Sequence, residues 1–198
     1  MSDYYMDGEE RFGWVGSPVY WLLSKIPSMR LLHRFVLHDL SSLKSKKILD
    51  IGTGPGDIPI ELSKLGNFKK IYGVDPSDAM LAIAKHRAGG ANNLFFRKGS
   101  SRKLPFDKKF DIIISVLSFH HWEMKEFSLR YISRFLKEKG ELRIYEFQRP
   151  KLRGLHKIFV PQHSVTKEEL YGIAKRAGLR IKEMKEQDHL IRATFVKS

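Results

Sequence analysis

The chain alternates short apolar runs with longer stretches in which apolar residues recur at helical spacing. The short runs lie at residues 47–51, 70–74 and 112–117, and helical patterns begin near Ile58 and Ser77. Such alternation is typical of βαβ units, in which helices connect parallel strands. The run at 112–117 is almost wholly apolar, which indicates a strand buried on both faces at the centre of the sheet. The pattern therefore predicts an α/β fold.

Further elements are predicted on either side of these units. Residues 1–16 contain three glycines among aromatic residues and predict an irregular arm. Residues 17–40 have helical spacing, which Pro27 divides into two helices. The later elements are a helix over 123–137, a strand over 141–147, a helix over 166–177 with Thr166 as its N-cap, and closing runs over 179–185 and 189–196. Only three polar residues separate the closing runs, which predicts an antiparallel hairpin.

Length and composition fit one domain over residues 1–198. The chain is 42% hydrophobic, which is enough for one sizeable core. No apolar run approaches the roughly 18 to 20 residues that cross a bilayer, and the first residues lack a signal-peptide pattern, so we expect a cytoplasmic protein without a membrane span. The absence of cysteine excludes disulfides and thiol nucleophiles, and the eight histidines lack metal-ligand spacing, so we expect no metal. Abundant Lys, Arg and Glu follow the statistical pattern of thermophilic proteins.

The net charge of +14 favours an anionic partner and leaves a nucleic acid open as one. The basic residues are concentrated in two places, Arg97, Lys98, Arg102 and Lys103 in mid-chain and Arg149, Lys151, Arg153 and Lys157 in a loop without acidic residues. A basic surface that is merely solvated is the alternative explanation. The charge therefore indicates a class of partner without identifying it, and the oligomeric state stays open.

A glycine-rich turn follows the first strand, in the sequence Asp-Ile-Gly-Thr-Gly-Pro-Gly-Asp at 50–57. Glycines between a buried strand and a helix let the backbone approach a ligand closely. The spacing is Gly-x-Gly-x-Gly, whereas a dinucleotide fingerprint would need glycine where Asp57 stands. No Gly-Lys-Ser/Thr follows, so a Walker phosphate loop is excluded as well. The turn therefore predicts a nucleoside ligand without a phosphate grip.

The second strand ends at Asp75, about 20 residues beyond the turn, where a carboxylate can accept hydrogen bonds from both hydroxyls of a ribose. The alternative is that Asp75 caps the following helix. Ser77 or Asp78 could provide that cap instead, so we interpret Asp75 as the ribose ligand.

Five segments in order, 48–56, 73–81, 104–111, 118–122 and 135–142, resemble the motifs of class I S-adenosylmethionine-dependent methyltransferases. Within that family the chain resembles the small-molecule branch that includes the ubiquinone and menaquinone C-methyltransferases. The resemblance covers residues 46–147 and implies a Rossmann-like α/β fold. It implies a seven-stranded, mostly parallel sheet with a C-terminal antiparallel hairpin, helices on both faces and an N-terminal helical cap. Residues 1–45 would form the arm and cap, 46–147 the cofactor-binding core, and 148–198 the basic loop, helix and hairpin.

The resemblance also implies S-adenosylmethionine as the cofactor and assigns residues to it. Asp50 and the glycines would hold the methionine end, Asp75 the ribose, and Met80 would pack near the adenine. The expected cofactor-binding residues are Asp50, Gly52, Thr53, Gly54, Gly56, Asp75, Pro76, Met80, Gly99, Ser100, Ser101, Val116 and Leu117. The family often has an acidic residue where Ser100 stands, so the hydroxyl would accept the bond from the adenine amino group more weakly.

Methyl transfer needs positioning and a dry site more than it needs catalytic residues. An acidic acceptor still needs a base, and His120 or His121 could provide it, or could simply shape the acceptor site. The candidate acceptor-binding residues are Tyr5, Tyr20, His121, Trp122 and Arg149.

These observations predict methyl transfer from S-adenosylmethionine to a small acceptor, which the basic loop predicts to be anionic. The first alternative is an RNA or protein methyltransferase, which the charge favours. The absence of an Asn-Pro-Pro-Tyr or Asp-Pro-Pro-Tyr segment opposes it. The second alternative is a non-catalytic protein that binds an adenosine ligand.

Overall fold

The structure is a computed structural model and describes residues 27–44, 46–148 and 164–198. The aromatic arm with Tyr5 and Tyr20 and the basic loop with Arg149 lie outside the described residues. Among the described residues, no helix is long and apolar enough to cross a bilayer.

The described residues form eight strands, five helices and one short 3₁₀ turn. The strands are β1 (Lys47–Ile51), β2 (Lys70–Asp75), β3 (Leu94–Lys98), β4 (Phe110–Val116), β5 (Leu136–Gln148), β6 (Ser164–Val165), β7 (Leu179–Gln187) and β8 (Leu190–Lys197). The helices are α1 (Pro27–Ser41), α2 (Asp57–Lys64), α3 (Asp78–Arg87), α4 (Lys125–Ser133) and α5 (Lys167–Ala177), and the 3₁₀ turn spans Phe119–His121.

All eight strands belong to one sheet with the order β3-β2-β1-β4-β5-β8-β7, and β6 pairs with β5 beside this path. Strands β1 to β5 are parallel to one another, and the β7–β8 hairpin runs antiparallel to β5. The predicted Rossmann-like sheet with a closing hairpin is therefore confirmed. The sheet has one strand more than the predicted seven, because β6 has only two residues and leaves no periodicity in the sequence. The hairpin turn is also shorter than predicted, since Gln187 already pairs with Leu190.

Strand β5 begins five residues earlier than predicted, at Leu136 rather than at residue 141. Its first residues pass an irregularity in the pairing with β4, where Phe110 faces Leu136 but Ile112 faces Glu141. At Gly140 a Cβ atom would lie 3.1 Å from the carbonyl oxygen of Phe110, so the close approach favours glycine. Because the chain joins the sheet at Leu136, the predicted helix over 123–137 ends earlier, at Ser133.

The central strands bury side chains on both faces of the sheet, as the apolar run predicted. Ile112 and Ile114 belong to one hydrophobic cluster and Ile113 to the other. In β1, Ile48 and Leu49 divide between the two clusters in the same way. The first cluster contains residues of α1, α2 and α3, and the second contains residues of α4 and α5. The helices therefore cover opposite faces and leave the carboxyl ends of the parallel strands open for a site.

Two helix boundaries confirm the capping predictions. Thr166 accepts a hydrogen bond from the backbone of Glu169, and the Glu169 carboxylate accepts one from the backbone of Thr166. This capping box satisfies two backbone donors at the start of α5. Gly178 ends the helix in the left-handed conformation, with φ of 70°.

A buried carboxylate connects α1 to the far side of the sheet. Asp39, whose side chain is 5% exposed, accepts hydrogen bonds from Arg143 and from the hydroxyl of Tyr145, both on β5, at 2.7 Å. Arg192 on β8 donates a third hydrogen bond. Burial alone would raise the pKa of Asp39, but the hydrogen bonds from Arg192 and Tyr145 and the charge of Arg143 hold it below its usual value. The ionised carboxylate therefore fixes the C-terminal end of α1 on the sheet.

Replacing Asp39 should destabilise the fold. In Asp39→Asn the buried Arg143 and Arg192 each lose one of two carboxylate partners, because Glu141 and Glu183 remain paired with them. We therefore expect the free energy of unfolding to fall by about 3 kcal/mol, the low end for a broken buried ion pair, in urea denaturation at neutral pH. The pKa of Asp39 is lower in the folded protein than in the unfolded chain, so its contribution to the parent's stability should be lost as pH falls below about 4. The stability of Asp39→Asn should not contain this pH-dependent contribution. The exposed Asp107→Asn should change stability by less than about 0.5 kcal/mol. Equal stability of Asp39→Asn and the parent would contradict this account.

Candidate functional site

The glycine-rich turn lies against the end of β2 and the segment after β4. The backbone N–H groups of Gly52 and Thr53 both donate to the carbonyl oxygen of Val74, at 2.9 and 3.0 Å. Gly52 has φ of 75°, and a Cβ atom there would lie 1.9 Å from the Ser118 hydroxyl oxygen. Only glycine fits at this position, because any side chain would collide with Ser118 and strain the backbone. The turn therefore brings three strand ends into contact.

Asp75 lies between this turn and the start of α3. Its Oδ2 accepts a hydrogen bond from the backbone of Gly54 at 2.8 Å, and its Oδ1 accepts one from the backbone of Ser77 at 2.9 Å. The helix cap is Ser77 instead, whose hydroxyl accepts from the backbone of Met80. These two backbone donors fix the orientation of the Asp75 carboxylate at the carboxyl end of β2. The geometry therefore suits recognition of a pair of hydroxyl groups.

Asp50 and Thr53 form a second polar element of the site, and both are buried. Among the residues that the structure describes, Oδ1 of Asp50 and the hydroxyl of Thr53 have no hydrogen-bond partner. Burial raises the pKa of Asp50 to about 7, and the charge of the nearby Asp75 adds to this rise. A buried polar atom without a partner costs roughly 1 to 3 kcal/mol, so these atoms would gain from a ligand that donates hydrogen bonds.

An open cleft of about 360 Å³ lies over these groups. Its lining residues are Met29, His33, Asp50, Gly52, Thr53, Pro55, Asp57, Ile58, Val116 and Leu117. Five of them, Asp50, Gly52, Thr53, Val116 and Leu117, are among the expected cofactor-binding residues. Helix α1 supplies Met29 and His33, which places the predicted helical cap over the cleft.

Sequence reasoning missed His33. Burial lowers its pKa, although the charges of Asp57 and Glu61 oppose the change, so the ring is neutral at neutral pH. Its contact with the cleft depends on how α1 crosses the sheet, which no local pattern in the sequence reveals.

The other expected cofactor residues surround Asp75 rather than the cleft. The backbone of Gly99 donates to the Asp75 carbonyl, which places Ser100 nearby. The Ser100 hydroxyl accepts a hydrogen bond from the backbone of Arg102 at 3.2 Å and closes a tight turn. Ser101 points away from this region, because its hydroxyl lies 3.0 Å from that of Ser128 on α4. Gly99 and Ser100 are therefore close to the expected nucleoside, and Ser101 has a packing role.

His120 is joined to a buried carboxylate that sequence reasoning also missed. Its Nδ1 lies 2.8 Å from Oε2 of Glu146, and its backbone N–H donates to Oε1 of Glu146 at 3.2 Å. The Glu146 side chain is wholly buried, and that of His120 is 6% exposed. The only signal in the sequence is an acidic residue inside the otherwise apolar end of β5. The two hydrogen bonds fix the ring of His120 at the carboxyl end of the sheet.

The neighbours of His120 are also held in place. The ring of His121 lies 3.8 Å from that of His120, centroid to centroid. Trp122 is 4% exposed, packs edge-to-face on Phe119 and donates its indole N–H to the Ser118 hydroxyl at 3.2 Å. Sequence reasoning assigned Trp122 to the acceptor site, whereas the structure places it in the hydrophobic core. His120 and His121 are both half-buried.

Residues 48–140 match the family of methyltransferase domains. The chain is 33% identical over 135 residues to the ubiquinone/menaquinone biosynthesis C-methyltransferase UbiE of Azotobacter vinelandii. The aligned region covers 66% of this chain and 53% of the relative. The chain is 34% identical over 148 residues to the protein of the same name from Wigglesworthia glossinidia brevipalpis, and that alignment covers 71% and 59%. The chain thus spans little more than half the length of these curated relatives.

The crystal structure of an S-adenosylmethionine-dependent methyltransferase from Aquifex aeolicus has the same fold. The two align with a TM-score of 0.74 and 23% identity over 93% of this chain and 98% of that one. Domain, sequence relatives and fold agree with the resemblance carried by the five sequence motifs. The chain therefore contains a methyltransferase domain and resembles the class I S-adenosylmethionine-dependent methyltransferases in sequence and in fold.

Proposed function

We propose that this protein transfers the methyl group of S-adenosylmethionine to a small-molecule acceptor. The observation that carries the proposal is the Asp75 carboxylate, which the backbones of Gly54 and Ser77 orient at the carboxyl end of β2. A carboxylate in this orientation suits the two hydroxyls of a ribose, and the adjoining turn leaves room for close approach of a nucleoside.

The second group of residues fits the methionine end of the cofactor. An ammonium group would donate to Oδ1 of Asp50 and to the Thr53 hydroxyl, two atoms that lack hydrogen-bond partners among the described residues. It would also supply the positive charge that two neighbouring carboxylates, Asp50 and Asp75, need in a buried place. The apolar residues Met29, Ile58 and Val116 would keep water from the transferred methyl group.

When bound, S-adenosylmethionine supplies an activated methyl group, which the acceptor's nucleophile takes with release of S-adenosylhomocysteine and of the nucleophile's proton. We assign His120 as the base that takes this proton. A hydrogen bond from Nδ1–H of His120 to Glu146 selects the tautomer in which Nε2 carries the lone pair. Glu146 is then a positioning residue, and it stabilises the imidazolium that forms.

Two observations bear on the chemistry of the acceptor. The relatives named above are C-methyltransferases of quinone biosynthesis, which favours a carbon nucleophile here. The basic loop that contains Arg149 favours an anionic acceptor. A screen of small acceptors, anionic and neutral, for release of S-adenosylhomocysteine tests this assignment. Binding of S-adenosylhomocysteine without turnover on any acceptor would favour the non-catalytic alternative.

Asp75→Asn should weaken the binding of S-adenosylhomocysteine about 10- to 100-fold, because the ribose loses charge-assisted hydrogen bonds of about 1.5 to 3 kcal/mol each. Isothermal titration calorimetry measures the affinity, and thermal unfolding checks that the variant remains folded. The matched control is Asp78→Asn, three positions later, whose carboxylate is 71% exposed and pairs with Lys98. Affinity equal to that of the parent in Asp75→Asn would place the ribose elsewhere.

The affinity for S-adenosylhomocysteine should also depend on pH. Because burial raises the pKa of Asp50 to about 7, the carboxylate is mostly protonated below this pH and cannot pair with the ammonium group. We expect the affinity to rise about tenfold between about pH 6 and pH 8. Asp50→Asn should bind weakly with little change over this range. An equally steep rise in that variant would assign the effect to another group, such as His33.

His120→Gln should lower kcat by about 100-fold or more on an identified acceptor, as expected for loss of a general base. Glu146→Gln should lower kcat less, because the base is retained but loses its orientation. Both variants should bind S-adenosylhomocysteine like the parent, which separates catalysis from folding of the site. His121→Gln is the comparison, and a greater loss of kcat there than in His120→Gln would overturn the assignment.

A further inference from the structure

A part of the sheet at its β3 edge is covered by a segment without a helix. Strands β3 and β4 are joined by residues 99–109, which form no helix. Beneath this segment Tyr72 stacks on Phe95 with 5.2 Å between ring centroids, and Phe106 meets Tyr72 edge-on at 5.3 Å. Tyr72 is buried, whereas Phe95 and Phe106 are only half-buried. Aromatic rings are therefore accessible on this face of the molecule.

Three cations lie against these rings. Lys70 Nζ is 5.5 Å from the centroid of Phe95, Arg97 Cζ is 5.7 Å from that of Phe106, and Lys108 Nζ is 5.1 Å from that of Tyr72. Within the described ranges, none of the three cations forms an ion pair with a carboxylate. The rings and cations together form what we call the aromatic–cationic face, defined by Lys70, Phe95, Arg97, Phe106 and Lys108.

Further lysines extend this face along the amino ends of the parallel strands. β1 begins at Lys47 and is preceded by Lys46, β2 begins at Lys70 and is preceded by Lys69, and β4 is preceded by Lys108 and Lys109. Lys47 and Lys70 are direct partners in the β1–β2 pairing, where neighbouring strands lie about 4.8 Å apart. Like charges opposite one another on paired strands destabilise a sheet. These lysines are not stabilised by helix dipoles either, because they precede or begin strands rather than end helices.

We propose that the aromatic–cationic face binds a single-stranded nucleic acid. The cations would neutralise phosphates, and the half-buried rings would stack with bases, which is the combination used by single-strand binding surfaces. An anionic membrane would use the cations but would leave the stacked rings without a role. Lys70 and Asp75 stand at opposite ends of β2, roughly 17 Å apart at ~3.3 Å per residue, so the cofactor site can be occupied at the same time.

Fluorescence anisotropy with a labelled oligouridylate of about 12 nucleotides tests this proposal, since single-strand sites span roughly 4 to 16 nucleotides. Salt should weaken binding steeply between about 50 and 200 mM. The triple variant Lys70→Gln, Arg97→Gln, Lys108→Gln should bind at least about tenfold more weakly, and its slope of log affinity against log salt should be shallower by about 2, at ~0.7 per phosphate. Phe106→Leu should weaken binding about fivefold or more without changing that slope.

The matched control removes three exposed cations elsewhere, in Lys85→Gln, Lys175→Gln, Arg180→Gln, and should bind within about twofold of the parent. Equal losses in the two triple variants would show that net charge alone attracts the probe and would overturn the proposal. Failure to bind the oligouridylate at low salt would also overturn the proposal. So would binding to anionic phosphatidylserine vesicles that is equally strong and is weakened by the same triple variant. Titration with S-adenosylhomocysteine in parallel keeps this result separate from that for methyl transfer, because the face lies away from the cofactor cleft.

Discussion

The carbonyl oxygen of Val74 and the carboxylate of Asp75 hold the glycine-rich turn in place. Three consecutive backbone N–H groups of the turn are involved, because Gly52 and Thr53 donate to the Val74 carbonyl and Gly54 donates to the Asp75 carboxylate. The end of β2 therefore determines the shape of the turn after β1, although the two are distant in sequence. A ligand bound to Asp75 would meet a surface that is already organised, so little ordering entropy would be lost on binding.

This arrangement concentrates acidic groups in a place of low polarity. Asp50 and Asp75 are both buried, and the charge of Asp75 contributes to the raised pKa of Asp50. The free protein thus stores an electrostatic cost at the site, which a cationic ligand would relieve. Stability and binding therefore oppose each other in this part of the molecule.

The sequence predicted those features that depend on local periodicity or on the chemistry of a short motif. The doubly buried strand at Ile112 to Ile114 was evident because both of its faces are apolar, and the caps at Thr166 and Ser77 were evident from residue type. The early start of β5 was missed because residues 137–139 are charged and helix-favouring, and only the pairing with β4 makes them a strand.

The missed site residues share one property, since each acquires its role from a distant element. His33 reaches the cleft through the position of α1, and Glu146 meets His120 across a separation of 26 positions. Trp122 packs in the hydrophobic core, which its sequence context left open, because an aromatic residue after a strand can equally line a site or pack beneath it. Motif chemistry predicted a nucleoside site, and tertiary contacts were needed to find His33 and the pair of His120 and Glu146.

The Asp39 network has a consequence for the order of events during synthesis. Asp39 belongs to the helix that covers the cleft, and its partner Arg192 lies 153 positions later in the chain. Contacts so distant in sequence form late, because the intervening chain must be ordered first. On the ribosome the glycine-rich turn can close over β2 well before the covering helix gains its last partner on β8. A nascent chain would therefore form the turn held by Val74 and Asp75 before helix α1 is fixed over the cleft.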